Sequence, residues 1–330
     1  MPVHGSRFTV HGSRFTVHGS RFTVHGSGFR VHQAAIRVAD KIRCMPRPHR
    51  ALGVGRAQVF AHRGGAALRP ENTIAAFDHG LSLGADGLEF DVHLSRDGVV
   101  VIHHDATLDR TTDHRGPVAA LTAAELARVD AGHNFVPRGR SGQPPFRGAG
   151  FGIPTLREVL QRYRDIWMII ELKLNEPTLA HRTIDEVRAA DTIDRVSLGS
   201  FGTRVLRAAR IYEPRIHTGS SRDETRLALY RSWCRWPVSS PPFDAYQVPE
   251  FAGATRVVSR RFVEHAHRCG IAVQVWTVDT ESDVNRLIDW GVDGIISDRP
   301  DIAVEVIRAR TVNQRTLKPN PEPRTPNPER

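Results

Sequence analysis

The sequence predicts an α/β protein whose ordered part is one TIM (β/α)8 barrel with a small insertion after an early strand. Three observations carry this. Short apolar runs that read as strands buried on both faces alternate with helix-spaced segments over roughly 250 residues, the usual size of such a barrel. Several of these runs end in ionisable residues, as barrel strands do where their C-terminal ends build a site. The main rival, a doubly wound open sheet, wants a glycine-rich phosphate turn after its first strand, and His62, Arg63, Gly64 and Gly65 lack that spacing.

Residues 58–62 read as the first strand. Ile74, Phe77 and Leu81 give residues 72–82 a helical spacing. Residues 87–92 and 99–103 are strands separated by Ser95, Arg96, Asp97 and Gly98, a turn signal. Residues 105–153 then break the rhythm: they are rich in Gly and Pro, with one helical patch at 122–129 and no evident strand. An insertion of about 106–152 at this point lies over the active end of a barrel, where lids are placed.

Alternation resumes with a helix over 156–163, for which Thr155 is a suitable cap, and a strand over 167–172. Helix 178–190, strand 196–201, helix 203–211 and strand 215–219 follow. Helix 223–233 leads to a short strand at 245–248, then helix 260–269 and strand 271–278. Helix 281–290, strand 294–297 and helix 302–308 complete a set of about eight strands.

Outside this body lie segments of different composition. Residues 3–9, 10–16 and 17–23 are each VHGSRFT, and 24–30 is a degraded copy, VHGSGFR. Gly and Ser in every copy, with no Leu/Ile seam, argue against a coiled coil, and no continuous apolar core marks a secretory signal. Residues 1–57 are therefore expected to be a disordered, repeat-containing segment, and 311–330, with five prolines, a second. Residues 58–310 are the expected barrel domain.

The net charge of +10 suggests a polyanion partner until it is located. Residues 1–57 carry +9 and residues 311–330 carry +2, which leaves the body at −1. No specific nucleic-acid partner is expected. No apolar run reaches the roughly 18 residues of a membrane span. The three scattered cysteines form neither a disulfide framework nor a zinc pattern, and a cytoplasmic setting fits them. The sequence carries no signal for oligomeric state.

Glu89 and Asp91, two apart on a strand, point to one face, where crowded carboxylates need neutralising. A hard divalent cation does this, with Glu171 at the end of a later strand as third oxygen ligand; oxygen ligands without Cys favour magnesium or calcium over zinc. A structural ion network with Arg or Lys is the alternative, and spacing alone does not choose. His62 and His104 each end an apolar strand beside these acids, which suits acid–base work. Arg63 and Lys173 add cations that fit a phosphate oxyanion.

The ordered set of His62-Arg63-Gly64, Pro70-Glu71-Asn72-Thr73, Glu89-x-Asp91, His104-Asp105 and Glu171-x-Lys173 closely resembles the glycerophosphodiester phosphodiesterase family. The resemblance continues in Leu108-Asp109-Arg110-Thr111-Thr112, Ile153-Pro154-Thr155-Leu156, Val275-Trp276-Thr277-Val278 and the run from Gly291 to Pro300. It implies metal-dependent hydrolysis of glycerophosphodiesters to sn-glycerol 3-phosphate and an alcohol. Glu89, Asp91 and Glu171 would bind the divalent metal, Ca2+ or Mg2+. His62 and His104 would be the general acid/base pair and Arg63 would hold the phosphate. Lys173 and Glu71 match positions lining the site, and Trp276 would form a wall beside the glycerol or leaving group. His93 stands where the family usually has a neutral polar residue. A lysophospholipase D-type activity is the close alternative, with Phe135, Phe146 and Phe151 as the expected lining of an acyl groove.

Overall fold

The structure, a computed structural model, describes residues 16–17, 20–21, 57–234 and 241–316 of the 330. It divides into two units, Met1–Arg47 and Pro48–Arg330. In the first, Thr16–Val17 pairs antiparallel with Ser20–Arg21. Apart from these residues and Ala57, the segment 1–57 lies outside the described residues, and so do 317–330 of the C-terminal segment.

The second unit is the barrel. Its wall strands are β1 (Gln58–His62), β2 (Gly87–Leu94), β4 (Trp167–Leu172), β5 (Val196–Gly199), β6 (His217–Thr218), β7 (Ala245–Pro249), β10 (Ala272–Trp276) and β11 (Gly294–Ser297). They run parallel in the order β6-β5-β4-β2-β1-β11-β10-β7. A parallel bridge between Gly219 and Ala245 joins the two ends of that order. The helices α1 (Ile74–Ser82), α3 (Leu156–Arg162), α4 (Pro177–Ala189), α5 (Thr203–Tyr212), α6 (Arg222–Cys234), α7 (Arg260–Arg268), α8 (Glu281–Asp289) and α9 (Pro300–Thr316) return the chain between strands. The last helix runs to Thr316, six residues beyond the boundary expected at 310.

Strand alternation sorts the side chains. On β2, Leu88, Phe90 and Val92 point outward into the layer shared with the helices, where Phe77 of α1 meets Phe90 at 5.4 Å between ring centroids. Burying one such side chain contributes about 1.5–3 kcal/mol. The opposite set, Gly87, Glu89, Asp91 and His93, faces the interior. There Phe60 of β1, Ile169 of β4 and Ile296 of β11 form an apolar layer with Trp167 and Trp276 against it. Gly87 is required by that layer, because a Cβ would lie 2.7 Å from the Phe60 ring.

The helix starts are capped, at Thr155 as the sequence suggests. Thr73 accepts from the Ala76 N–H, and Thr155 with Glu158 forms a reciprocal capping box.

One strand departs from expectation. Residues 99–103 do not enter the wall; β3 (Val100–Ile102) turns back and pairs antiparallel with the end of β2, Ile102 opposite Val92. The turn at Ser95–Gly98 is too short for the crossover that parallel strands need, so a hairpin results. The insertion that follows holds a 3-10 turn at Val118–Ala120 and the one-turn helix α2 (Ala123–Leu126), packed on Val101 and Leu108.

Candidate active site

The candidate site is assembled by register. His62 of β1 lies opposite Glu89 of β2, and Asp91 lies opposite Glu171 of β4. All four are at inward positions near the C-terminal strand ends, so the parallel ladder itself brings them together. One ligand atom from each of Glu89, Asp91 and Glu171 falls within 4.8 Å of the others.

Cations flank the acids. Lys173 Nζ lies 2.8 Å from Asp91 Oδ1 and 2.9 Å from Glu171 Oε2, and Arg63 Nε is 3.3 Å from Asp91 Oδ2. Asn72 donates to the same Asp91 oxygen at 2.9 Å. Burial works against an ionised Asp91, but Lys173, Arg63 and His104 hold its carboxyl below the usual range. Glu89 is placed differently: its ion pair is with His62, at 3.7 Å. Burial pushes Glu89 up to about 7, with Asp91 and Glu171 adding and His62 opposing. A buried carboxyl in that condition, beside two more in an all-oxygen set, fits a hard divalent cation.

Each histidine is held by a carboxylate through Nδ1. His62 Nδ1 meets Asp298 Oδ1 at 2.6 Å, and His104 Nδ1 meets Asp105 Oδ1 at 2.5 Å. Burial disfavours the His62 imidazolium, yet Glu89 and Asp298 outweigh it and raise the group above its ordinary value. His104 does not end a wall strand as expected. It stands just beyond β3, whose hairpin carries it back to the mouth, with the His103 N–H donating to the Asp91 carbonyl at 3.0 Å. His93 is buried behind it, Nε2 at 3.1 Å from the His104 carbonyl, and burial lowers its pKa.

Arg63 begins the first loop in a left-handed conformation (φ 50°), unusual for a side-chain-bearing residue and concentrated at functional loops. Gly64 follows at φ 87°, with a Cβ there 2.7 Å from the Ala76 backbone, so α1 packs directly on the loop. Glu71 does not line the cavity. It accepts from Arg63 at 3.0 Å and from Arg110 at 2.7 Å, and Arg110 also donates to Asp105 at 2.7 Å. The Glu71 carboxylate thereby links the mounts of Arg63 and His104.

A cavity of about 1030 Å³ opens above these groups. His62, Arg63, Glu89, His104, Glu171, Lys173 and Trp276 line it; Trp276 meets Phe201 edge-on at 5.9 Å. Phe135, Phe146 and Phe151, the expected acyl lining, are not in its wall. They pack on one another at 5.7 and 5.8 Å, with Arg69 over Phe146, because the insertion needs a small core of its own.

Asp298, Asp105 and Arg138 also belong to the site, and the sequence alone assigns them no role. Asp298 closes an apolar strand, the same signal that marks His62. Asp105 follows His104 directly. Arg138, in the insertion, reaches Asp279 at 2.5 Å and Asp298 at 3.2 Å, and no pattern in the sequence signals it.

Histidines held by carboxylates, with cations around an acidic cluster at the strand ends of a parallel barrel, define a hydrolase suited to a phosphate ester. A sequence profile of the glycerophosphoryl diester phosphodiesterase family matches residues 62–302. The chain is 33% identical over 256 residues to a glycerophosphodiester phosphodiesterase of Caldanaerobacter subterraneus subsp. tengcongensis, covering 76% of this chain and 97% of that one. It is 33% identical over 258 residues to one from Bacillus altitudinis, covering 76% and 97%. Among solved structures, an Oleispira antarctica phosphodiesterase in complex with the product sn-glycerol-3-phosphate aligns with a TM-score of 0.61 at 26% identity, over 77% of this chain and 97% of that one. A glycerophosphoryl diester phosphodiesterase domain from Mycobacterium tuberculosis shares the fold with a TM-score of 0.67 at 24% identity, over 77% and 99%. The chain belongs to the glycerophosphoryl diester phosphodiesterase family and is a phosphoric diester hydrolase. No helix among the described residues is long and apolar enough to cross a membrane.

Proposed function

We propose that the protein hydrolyses glycerophosphodiesters to sn-glycerol 3-phosphate and an alcohol, using a divalent cation and the pair His62 and His104. The observation that carries this is the arrangement of two His–Asp pairs, His62–Asp298 and His104–Asp105, on one cavity with the acidic cluster. The product named with the Oleispira antarctica structure agrees with it.

Glu89, Asp91 and Glu171 would hold the cation, Ca2+ or Mg2+, which when bound supplies positive charge to the phosphoryl oxygens. Arg63 and Lys173 lie beside the cluster and bind the same anion, whose charge spreads over the equatorial oxygens in the transition state. Trp276 walls the glycerol or leaving-group side.

With Nδ1 held by Asp298 or Asp105, each imidazole keeps Nε2 for the substrate. One Nε2 takes the proton of the nucleophile, water or the glycerol 2-hydroxyl. The other gives a proton to the departing alkoxide.

The test is turnover of glycerophosphocholine and glycerophosphoethanolamine by the full chain, with added calcium or magnesium and with chelator, measured as glycerol 3-phosphate. Metal-dependent release supports the reading. No turnover by folded protein with either metal rejects it.

A further inference from the structure

Three segments of the chain meet at Arg138 of the insertion. Its backbone N–H donates to the Ala67 carbonyl of the first loop at 3.2 Å, and the Ala67 N–H donates to the Asp298 carbonyl at 3.2 Å. Its guanidinium spans two carboxylates that follow neighbouring wall strands. Nη1 is 2.5 Å from Asp279 Oδ2, beyond β10, and Nη2 is 3.2 Å from Asp298 Oδ2, beyond β11. The insertion is thereby fastened to the barrel mouth at the very acid that meets His62.

Stability does not account for this contact. The Arg138 side chain is 59% exposed, and exposed ion pairs contribute little to folding. The geometry fits orientation better. The two oxygens of Asp298 are divided: Oδ1 meets His62 Nδ1 at 2.6 Å, and Oδ2 accepts from Arg138. The last torsion of an Asp side chain has a broad, soft preference, so a carboxylate held by one oxygen can turn. Held by both, it turns only by breaking a contact.

Asp279 is fixed in its turn. Its Oδ1 accepts from the Ser297 hydroxyl at 3.1 Å and from the Asp298 N–H at 2.9 Å, while Oδ2 takes Arg138. Charge acts in the same sense as geometry. Asp279 and Asp298 bring two carboxylates to one small region, and like charges there repel unless a cation stands between them. Arg299, next in sequence, is committed to Asp301 at 2.7 Å; Arg138 faces both acids.

We infer that Arg138 is a positioning residue for the reaction: acting through Asp298, it fixes the orientation of the His62 imidazole. The insertion thus serves the chemistry from outside the cavity wall, without touching the substrate. The inference rests on the proposed role of His62.

The experiment measures kcat and KM for glycerophosphocholine with the full chain and saturating metal. It compares Arg138→Gln, Arg138→Lys, Asp298→Asn and the double variant Arg138→Gln/Asp298→Asn. Arg138→Gln should lower kcat about tenfold with KM within about twofold of wild type, and Arg138→Lys should restore most of the loss. The double variant should lose no more than Asp298→Asn alone, because both changes act on one imidazole. The control is Arg256→Gln, on the hairpin of β8 (Phe251–Ala252) and β9 (Thr255–Arg256). It removes an exposed arginine that faces Glu250 at 4.0 Å and should leave kcat unchanged. A kcat for Arg138→Gln within about twofold of wild type overturns the inference, as does an equal fall in Arg256→Gln. Losses that multiply in the double variant, or a change confined to KM, also overturn it and leave Arg138 as a latch for the insertion. Activity of His62→Ala within a few-fold of wild type rejects the role of His62 and this inference with it. No turnover by folded wild type rejects the diesterase reading itself.

Discussion

Asp298 and His62 are 236 residues apart in the chain and meet at 2.6 Å, because β11 and β1 are neighbours in the barrel. We propose Asp298 as a positioning residue: it holds Nδ1, while His62 Nε2 lies 3.7 Å from Glu89 Oε2. Asp298→Asn keeps the side chain's size but presents an amide where the imidazole meets a carboxylate. The expected outcome is a fall in kcat of roughly 10–100-fold with little change in KM. The metal-induced thermal shift should be unaltered, which separates lost positioning from a general loss of structure.

His104→Ala removes one of the two proposed proton-transfer groups and leaves the three carboxylates in place. Steady-state kinetics should show a loss of about 10²–10⁴-fold in kcat. Activity within a few-fold of wild type would exclude His104 from acid–base work.

Glu89→Gln has two opposed consequences. Without metal the substitution relieves a buried, crowded carboxylate, so the thermal midpoint at pH 8 should equal or exceed that of wild type. On the proposed metal site, wild type with metal at 100 times its dissociation constant should gain about 2.7 kcal/mol, and the variant far less. Calorimetry with and without calcium reads both. A variant that is less stable without metal, and still stabilised by it, excludes Glu89 as a ligand.

Acid sensitivity has a definable contributor at the end of α5. Arg215, then Arg188, hydrogen-bond Glu213 and hold it down to about 2 against the effect of burial. A carboxylate depressed in the folded state stabilises above its unfolded value of about 4.5, and that contribution is lost as pH falls toward 2. Glu213→Gln should cost about 1 kcal/mol at neutral pH and flatten the stability curve between those values, as urea unfolding at several pH values will show.

Strand order and inward positions were largely legible because period-two alternation is strong in β2 and β4. The same alternation that places Glu89 and Asp91 on one face also sends Leu88 and Phe90 to the helices. Residues 99–103 misled because an apolar triplet reads alike in a wall strand and in a hairpin; the turn length, not the triplet, decides. Arg138 and the phenylalanines of the insertion were illegible for a different reason. Their partners, Asp279 and Asp298 for Arg138, lie far along the chain, and loops carry no periodicity to reveal them. For Glu71 the family motif implies a position lining the site, and in the structure its carboxylate accepts from Arg63 and Arg110, partners that the motif alone does not reveal.

The barrel's ends join through little backbone pairing. β6 contributes two residues, and Gly219 makes the bridge to Ala245, supported by the Asp244 N–H to Thr218 carbonyl bond at 2.8 Å and the Ser220 N–H to Ala245 carbonyl bond at 2.9 Å. β2 and β4, by contrast, are paired over six positions. The cylinder is therefore most weakly paired along the β6–β7 line, away from the β2–β4 pair, and any transient opening is expected there first, with the carboxylate-bearing strands still paired. Amides of β6 will exchange with deuterium before those of β2 and β4, and the barrel can widen for a bulky ligand without disturbing the groups that would act on its phosphate.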